Sequence, residues 1–91
     1  MKVHELKIDT DVFHATLQQR KTYEIRLNDR GYRVGDYLFL RETEFTGEEM
    51  KDGAKLIYTG NAIMRLVTHM LESEYGLEQG WCIMSVVPAS R

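Results

Sequence analysis

Apolar and polar side chains alternate along several short segments of the chain, which is the pattern of half-buried β-strands. The strands predicted in this way are residues 3–8, 21–26, 37–42 and 81–87. In the first strand Leu6 and Ile8 face the core, and His4 shares that face, where a lone histidine is more often a hydrogen-bonded core residue than a ligand. Residues 37–40 are apolar on both faces, as expected for a covered strand, and Pro88 ends the last strand.

One helix is predicted between the first two strands. Residues 9–11 suit a helix start because they combine two aspartates with a threonine. The positions that recur at helical spacing are Val12, Phe13, Thr16 and Leu17. The helix is expected to run to about Gln19. Arg20 and Lys21 follow, where cations compensate the exposed carbonyl groups of a helix end.

The middle of the chain is harder to interpret. Residues 45–53 are polar and contain two glycines, which predicts an exposed hairpin loop, and residues 59–61 predict a turn. Residues 62–71 fit two structures. Their apolar positions recur at helical spacing and Asn61 is a suitable helix cap, whereas their β-branched residues favour a strand. Periodicity alone favours the helix.

Composition restricts the class of protein. Ninety-one residues, 43% of them apolar and 29% charged, predict a single folded domain over residues 1–91. No apolar run approaches the ~20 residues of a membrane span, and the first residues lack the apolar core of a signal peptide, so a cytoplasmic protein is expected. Cys82 is the only cysteine, which excludes an internal disulfide and predicts a core residue. We expect no metal and no other cofactor.

The charge is unevenly distributed. The net charge is −2, yet residues 20–41 contain six basic and three acidic residues. A basic patch of this kind suits contacts with phosphate groups, and the acidic remainder of the chain would limit indiscriminate binding. A solvated charged face with no binding role is an equally good interpretation.

The second strand carries the polar residues of greatest interest. Its polar face is predicted to consist of Thr22, Glu24, Arg26 and Asn28. Its apolar face is predicted to consist of Tyr23, Ile25 and Leu27. With Lys21 beside them, these residues offer a mobile cation for a phosphate, a planar donor fork on Arg26, and an acceptor on Glu24 for a base amino group. The alternatives are a plain solvated face, or an internal ion pair of Glu24 with Arg26 or Lys21.

Several segments match one known family together. Lys21, Glu24 and Arg26 match the lysine, glutamate and arginine of a signature that begins with glycine, where this chain has Gln19. With the turns at 28–30 and 34–36, the chain resembles the ASCH domain of the PUA-like superfamily, small β-barrels associated with RNA. It looks most similar to the bacterial and phage branch, a domain of unknown function. The resemblance extends through segments 75–78 and 80–85, over most of the chain.

The resemblance implies an α+β, mainly β fold: a small PUA-like barrel with an N-terminal helix between the first two strands and a strand at residues 62–71. It also implies a ligand cleft beside that helix. The expected RNA- or ligand-binding residues are His4, Lys7, Lys21, Tyr23, Glu24, Arg26, Asn28, Asp29 and Arg30. The expected partner is single-stranded or structured RNA, a nucleotide or a nucleoside, bound by a monomer or weak dimer. Tyr23 and Tyr32 could stack a base, although aromatic residues in such positions are more often core.

Two other functions remain open. Part of the ASCH group resembles amidohydrolases that act on acylated cytidine with a lysine and a threonine, but Glu24 occupies the threonine position here. A rearranged site would use Lys21, Thr22 and Glu24 as catalytic residues, and would require an enclosed cleft rather than a shallow groove. The other function is a protein-interaction module without nucleic-acid binding, in which the charged residues tie the helix to the sheet.

Overall fold

The computed structural model describes residues 1–89. The strands in this part of the chain are Val3–Ile8 (β1), Tyr23–Leu27 (β2), Tyr37–Thr43 (β3), Tyr58–Glu72 (β4) and Trp81–Pro88 (β5). The helices are Thr10–Leu17 (α1) and Gly47–Lys51 (α2). The prediction of a mainly β fold with a helix between the first two strands is therefore confirmed. Neither helix has the length and hydropathy that a transmembrane helix requires.

The strands form one sheet, curled into a half-barrel, in the order β1-β3-β4-β5-β2. β1 and β3 run parallel, with Val3 opposite Tyr37, and the other neighbours are antiparallel. β1 and β2 are consequently the two edge strands. α1 follows β1 directly and packs against β3.

The core lies on the inner face because alternate residues of each strand point there. Its buried apolar residues are Leu6, Ile8, Phe13, Tyr32, Leu38, Leu40, Val67, Cys82, Met84 and Val86. The sequence predicted the inward positions of β1, the core position of Cys82 and the burial of Tyr32, and all are confirmed. His4 is also buried as predicted, with its Nε2 atom 2.8 Å from Oδ2 of Asp36.

The two faces of β2 alternate as predicted, but the polar face is the buried one. Glu24 is only 2% exposed, whereas Tyr23, Ile25 and Leu27 are each nearly half exposed. The interpretation of this polar face as solvated surface is wrong, and so is the core position of Tyr23. At this edge of the sheet the inner space beside Glu24 is occupied by the cations that pair with it, so its charge is not left uncompensated.

Residues 45–53 do not form the predicted hairpin loop, because residues 47–51 form α2. Thr46 caps this helix by accepting a hydrogen bond from the Glu49 backbone N–H, and the Glu49 side chain accepts one from the Thr46 N–H. A capping box of this kind satisfies two of the free donors of a helix start. The signal was present in the Thr-Gly-Glu-Glu sequence, but the flanking glycines concealed it.

The turn predicted at residues 59–61 is also wrong, because β4 runs through it. Gly60 has φ +97°, which lets the strand bend without ending. Residues 62–71 are strand, as the resemblance implied, and the helical periodicity was misleading. Inward positions run Ile63, Arg65 and Val67, and then Met70 because the pairing with β5 shifts by one residue between Val67 and His69, so the apolar ones are four and three residues apart. That spacing imitates a helix.

Candidate functional site

The two edge strands face each other across a gap that arginine side chains bridge. Arg26 in β2 donates from Nη2 to the carbonyl oxygen of Lys7 in β1, at 3.1 Å. Arg30, just after β2, donates from Nη1 to the carbonyl oxygen of Glu5, at 2.6 Å. Edge strands expose unpaired backbone groups, and here side chains satisfy two of them. We call this gap between β1 and β2 the seam.

A first cleft opens at the end of the seam next to α1. Its volume is about 360 Å³, at the lower end of the range for small-molecule sites, and it is open to solvent. The residues that line it are Lys7, Ile8, Asp9, Val12, Lys21, Tyr23, Glu24, Ile25 and Arg26. Three basic and two acidic residues are among them, so the first cleft has a small excess of positive charge.

Glu24 holds two cations in the first cleft. Its Oε2 atom accepts from Lys21 Nζ at 2.6 Å, and its Oε1 atom accepts from Arg26 Nε and Nη2, both at 3.3 Å. The Lys21 ammonium also donates to the carbonyl oxygen of Tyr23 at 2.7 Å and lies 4.9 Å from the centre of the Tyr23 ring. The structure therefore brings together the three signature residues that the sequence selected.

Both cations keep free donors. Lys21 uses two of its three N–H groups, on Tyr23 and Glu24. Arg26 uses Nε and Nη2, and no acceptor for Nη1 is found within residues 1–89. Since Lys21 is about one-fifth exposed and Arg26 slightly more than one-quarter, these donors can reach a ligand from solvent. Glu24 thus positions two cations without occupying all of their donors.

The local sequence explains why these side chains meet. α1 ends in a Schellman motif, in which the Arg20 N–H bonds to the Ala15 carbonyl and the Gln19 N–H to that of Thr16. Gln19 has φ +59°, a left-handed conformation in which glycine is favoured. The glycine of the ASCH signature that this chain resembles falls at this position. The sharp exit sends Lys21 back toward β2, where Glu24 and Arg26 share the inner face.

A second cleft lies on the other side of Arg26. Its volume is about 320 Å³, and its lining residues are Leu6, Ile25, Arg26, Leu27, Asp29, Arg30, Tyr32 and Trp81. Burial raises the pKa of the Tyr32 hydroxyl above its usual value, and the nearby Arg30 and Arg26 oppose part of that rise. The second cleft thus combines aromatic walls with two guanidinium groups and one carboxylate.

Three of the predicted residues lie outside both clefts. His4 is buried against Asp36 and the ring of Tyr32. Asn28 has a structural environment, since its amide nitrogen donates to Glu72 and its side-chain oxygen accepts from the Tyr32 backbone N–H. Thr22, the nucleophile of the amidohydrolase hypothesis, is exposed and does not line the first cleft.

The predicted residues that line a cleft are Lys7, Lys21, Tyr23, Glu24, Arg26, Asp29 and Arg30. Sequence reasoning missed Asp9 and Val12 in the first cleft and Trp81 in the second. Asp9 immediately follows β1 and precedes α1, which is a signal that could have been used. Trp81 reaches the seam because β5 pairs with β2, with Trp81 opposite Leu27, and no sequence pattern indicates that pairing. Within residues 1–89, no cluster of three or more His, Cys, Asp or Glu side chains is arranged to hold a metal ion.

Comparison with known proteins places this chain in a family. Over 53 residues the chain is 38% identical to the "Uncharacterized 12.9 kDa protein in GpA 3'region" of Escherichia phage P2. That match covers 55% of this chain and 49% of the phage protein, so it spans about half of that relative. A family model described as "Domain of unknown function (DUF3850)" matches residues 3–86, which include every residue of both clefts. The chain therefore belongs to the DUF3850 family.

Proposed function

We propose that this protein is a nucleic-acid-binding module of the PUA-like (ASCH) type, which binds RNA or a nucleotide with a phosphate group in the first cleft. The observation that carries the proposal is the arrangement of Lys21 and Arg26 on one buried carboxylate, with free donors on both. An ammonium group beside a guanidinium fork recognises a phosphate well, because their positive charges add and their N–H groups can donate to the same anion. Lys7 lines the same cleft and adds a third positive charge.

The shape of the site supports binding over catalysis. The first cleft is an open groove beside the edge of a sheet, so it does not enclose a small substrate away from bulk solvent, as catalysis on a nucleoside would require. The amidohydrolase alternative also needs Glu24 to accept a proton, yet two cations already occupy its oxygens. The exposed Tyr23 beside Lys21 offers a ring on which an unpaired base can stack.

The test is binding of short single-stranded RNAs, measured by fluorescence anisotropy over a range of salt concentrations. Lys21→Ala and Arg26→Ala should each weaken binding by about five- to tenfold, and each should lower the slope of log K against log salt by about one. Matched controls are Lys55→Ala and Arg33→Ala, which remove the same charges at exposed positions outside both clefts. Circular dichroism of each variant checks that the fold is retained.

Each outcome has a distinct meaning. If the cleft variants and the controls weaken binding equally, the protein binds through its general charge and the proposed site is wrong. If free modified nucleosides bind while RNA does not, the enzymatic alternative replaces the proposal and a turnover assay follows. If neither binds, the proposed function is overturned and the protein-interaction alternative is favoured.

A further inference from the structure

We infer that the second cleft is a base-recognition pocket, and that Asp29 in it selects bases that carry an amino group over uracil. The inference rests on the proposed function, because it extends the phosphate site of the first cleft to the nucleotide next to it. Arg26 is the link, since it lines both clefts and stands between them. A phosphate bound to Nη1 of Arg26 would place its nucleoside at the mouth of one cleft or the other.

The carboxylate of Asp29 makes no hydrogen bond and no ion pair in the part of the chain that the structure describes. Its own backbone N–H donates to the Leu27 carbonyl oxygen at 2.9 Å, which fixes the turn that presents the side chain. The neighbouring Arg30 is tied to the Glu5 carbonyl oxygen instead of to Asp29. Because Arg30 does not pair with it, the Asp29 carboxylate can accept hydrogen bonds from a ligand.

The walls of the second cleft suit the flat, partly apolar surface of a base. Trp81 and Tyr32 contribute aromatic surface, and Leu6 and Leu27 contribute aliphatic surface. No acceptor for the indole N–H of Trp81 is found among residues 1–89, so this donor is available to a ring nitrogen or carbonyl oxygen of a base. The second cleft therefore offers stacking surface, guanidinium and indole donors, and one anionic acceptor in a small volume.

The chemistry of the acceptor defines the preference. Cytosine and adenine each present an exocyclic amino group, with two N–H donors for a carboxylate, whereas uracil presents two carbonyl oxygens with a single ring donor, N3–H, between them. A carboxylate facing those carbonyl oxygens would gain no hydrogen bond and would lose solvation. We therefore expect single-stranded RNA rich in cytosine or adenine to bind more tightly than RNA rich in uracil.

The experiment compares four-nucleotide RNAs of cytidine, adenosine and uridine, with wild type, Asp29→Asn and the control Asp52→Asn. Wild type should bind the cytidine or the adenosine oligomer about tenfold more tightly than the uridine oligomer, the effect of one charged hydrogen bond. Asp29→Asn should remove most of that ratio, because an amide both donates and accepts. Asp52→Asn makes the same charge change at an exposed position outside both clefts and should preserve the ratio.

The outcomes separate this inference from the proposed function. If RNA binding depends on Lys21 and Arg26 but the base preference is absent or is unchanged in Asp29→Asn, the inference is overturned while the proposed function stands. If RNA binding does not depend on Lys21 and Arg26, the proposed function is wrong, and the inference of a base-recognition pocket is wrong as well. If both Asp29→Asn and Asp52→Asn lose the ratio, net charge rather than Asp29 determines it, and the inference is again overturned.

Discussion

Three carboxylates are buried in the described part of this protein, and the charge of each is compensated by different partners. Glu24 is paired with two cations, Asp36 lies against His4, and Glu42 accepts from neutral side chains. Within residues 1–89 no buried side-chain nitrogen or oxygen lacks a hydrogen-bond partner. Because an unpaired buried charge is costly, these partners explain why carboxylates are tolerated inside so small a core.

Asp36 and Glu42 link folding to pH. Burial alone would raise the pKa of Asp36, but hydrogen bonds from His4 and from the N–H groups of Lys2 and Arg33 outweigh it and hold that pKa below its usual 3.8. For Glu42, hydrogen bonds from Asn61 and Thr59 lower the pKa below its usual 4.5. Both carboxylates thus bind protons more weakly in the folded state than in the unfolded state.

Asp36→Asn should make the free energy of unfolding depend less on pH under acidic conditions. A carboxylate with a lowered folded-state pKa contributes stability that is present above its unfolded-state pKa, here 3.8, and lost as the pH falls through the lower folded-state value. At pH 7 we expect the free energy of unfolding of the variant to be about 1–3 kcal/mol lower than that of wild type, because charged hydrogen bonds are replaced by neutral ones. On acidification the free energy of unfolding of the variant should then decrease less than that of wild type.

The measurement is urea denaturation at pH 7, 5, 4 and 3, with Asp52→Asn as the exposed control. If the free energies of unfolding of wild type and Asp36→Asn fall in parallel between pH 4 and pH 3, Asp36 does not provide this linkage. Glu42→Gln tests the second carboxylate in the same way, over a window that begins near its usual pKa of 4.5.

At the scale of single elements, the exit of α1 matters most for the site. Gln19 occupies the left-handed position of the Schellman motif, where a side chain is strained and glycine is not. The bonds from the Arg20 and Lys21 N–H groups to the Ala15 carbonyl close the helix and direct the chain into β2. The geometry of the site therefore includes one strained residue, which lowers the stability of the fold.

Gln19→Gly should stabilise the protein, which is uncommon for a glycine substitution. Relief of the left-handed strain outweighs the added freedom of the unfolded chain, and we expect a gain of about 0.5–1 kcal/mol in the free energy of unfolding. The matched variant Gln18→Gly, at a position with φ −83°, should be neutral or destabilising. Thermal and urea denaturation of both variants measure this, and a loss of stability in Gln19→Gly would contradict the strain argument.

At the scale of the whole molecule, the seam is where the half-barrel fails to close. β3, β4 and β5 each have a neighbour on both sides, whereas β1 and β2 have one neighbour each and are joined, within residues 1–89, by hydrogen bonds from arginine side chains. Edge strands with few backbone bonds open more readily than central strands. We therefore expect the seam to be the most mobile part of the sheet, and the two clefts lie along it.

Arg30→Ala should loosen this seam without unfolding the sheet. Removal of the 2.6 Å bond to the Glu5 carbonyl oxygen frees one edge, so amide hydrogen exchange should become faster in β1 and β2 and remain unchanged in β3 and β4. The matched control is Arg33→Ala, whose side chain makes no hydrogen bond or ion pair within residues 1–89. Faster exchange throughout the sheet would instead indicate a general loss of stability.

The amino-acid sequence by itself determined the strands with simple alternation, the helix after β1, the core role of Cys82 and the set of charged residues around Lys21 and Arg26. These features depend on neighbours along the chain, or on a family signature that is local. The tertiary structure decided the rest. Whether the polar face of β2 points inward depends on the cations that meet Glu24, and the strand at residues 62–71 depends on pairing with β3 and β5 on either side.

The tertiary structure also decided the shape of the two clefts. Arg26 meets Lys7 only because the sheet curls and brings its two edge strands together, and Trp81 meets Leu27 because β5 pairs with β2. Contacts between residues so distant in sequence leave no periodic pattern in the chain, since periodicity reports which face of an element is buried and not which element lies opposite. The sequence thus selected the charged residues of the site, and the closing of the sheet supplied its shape.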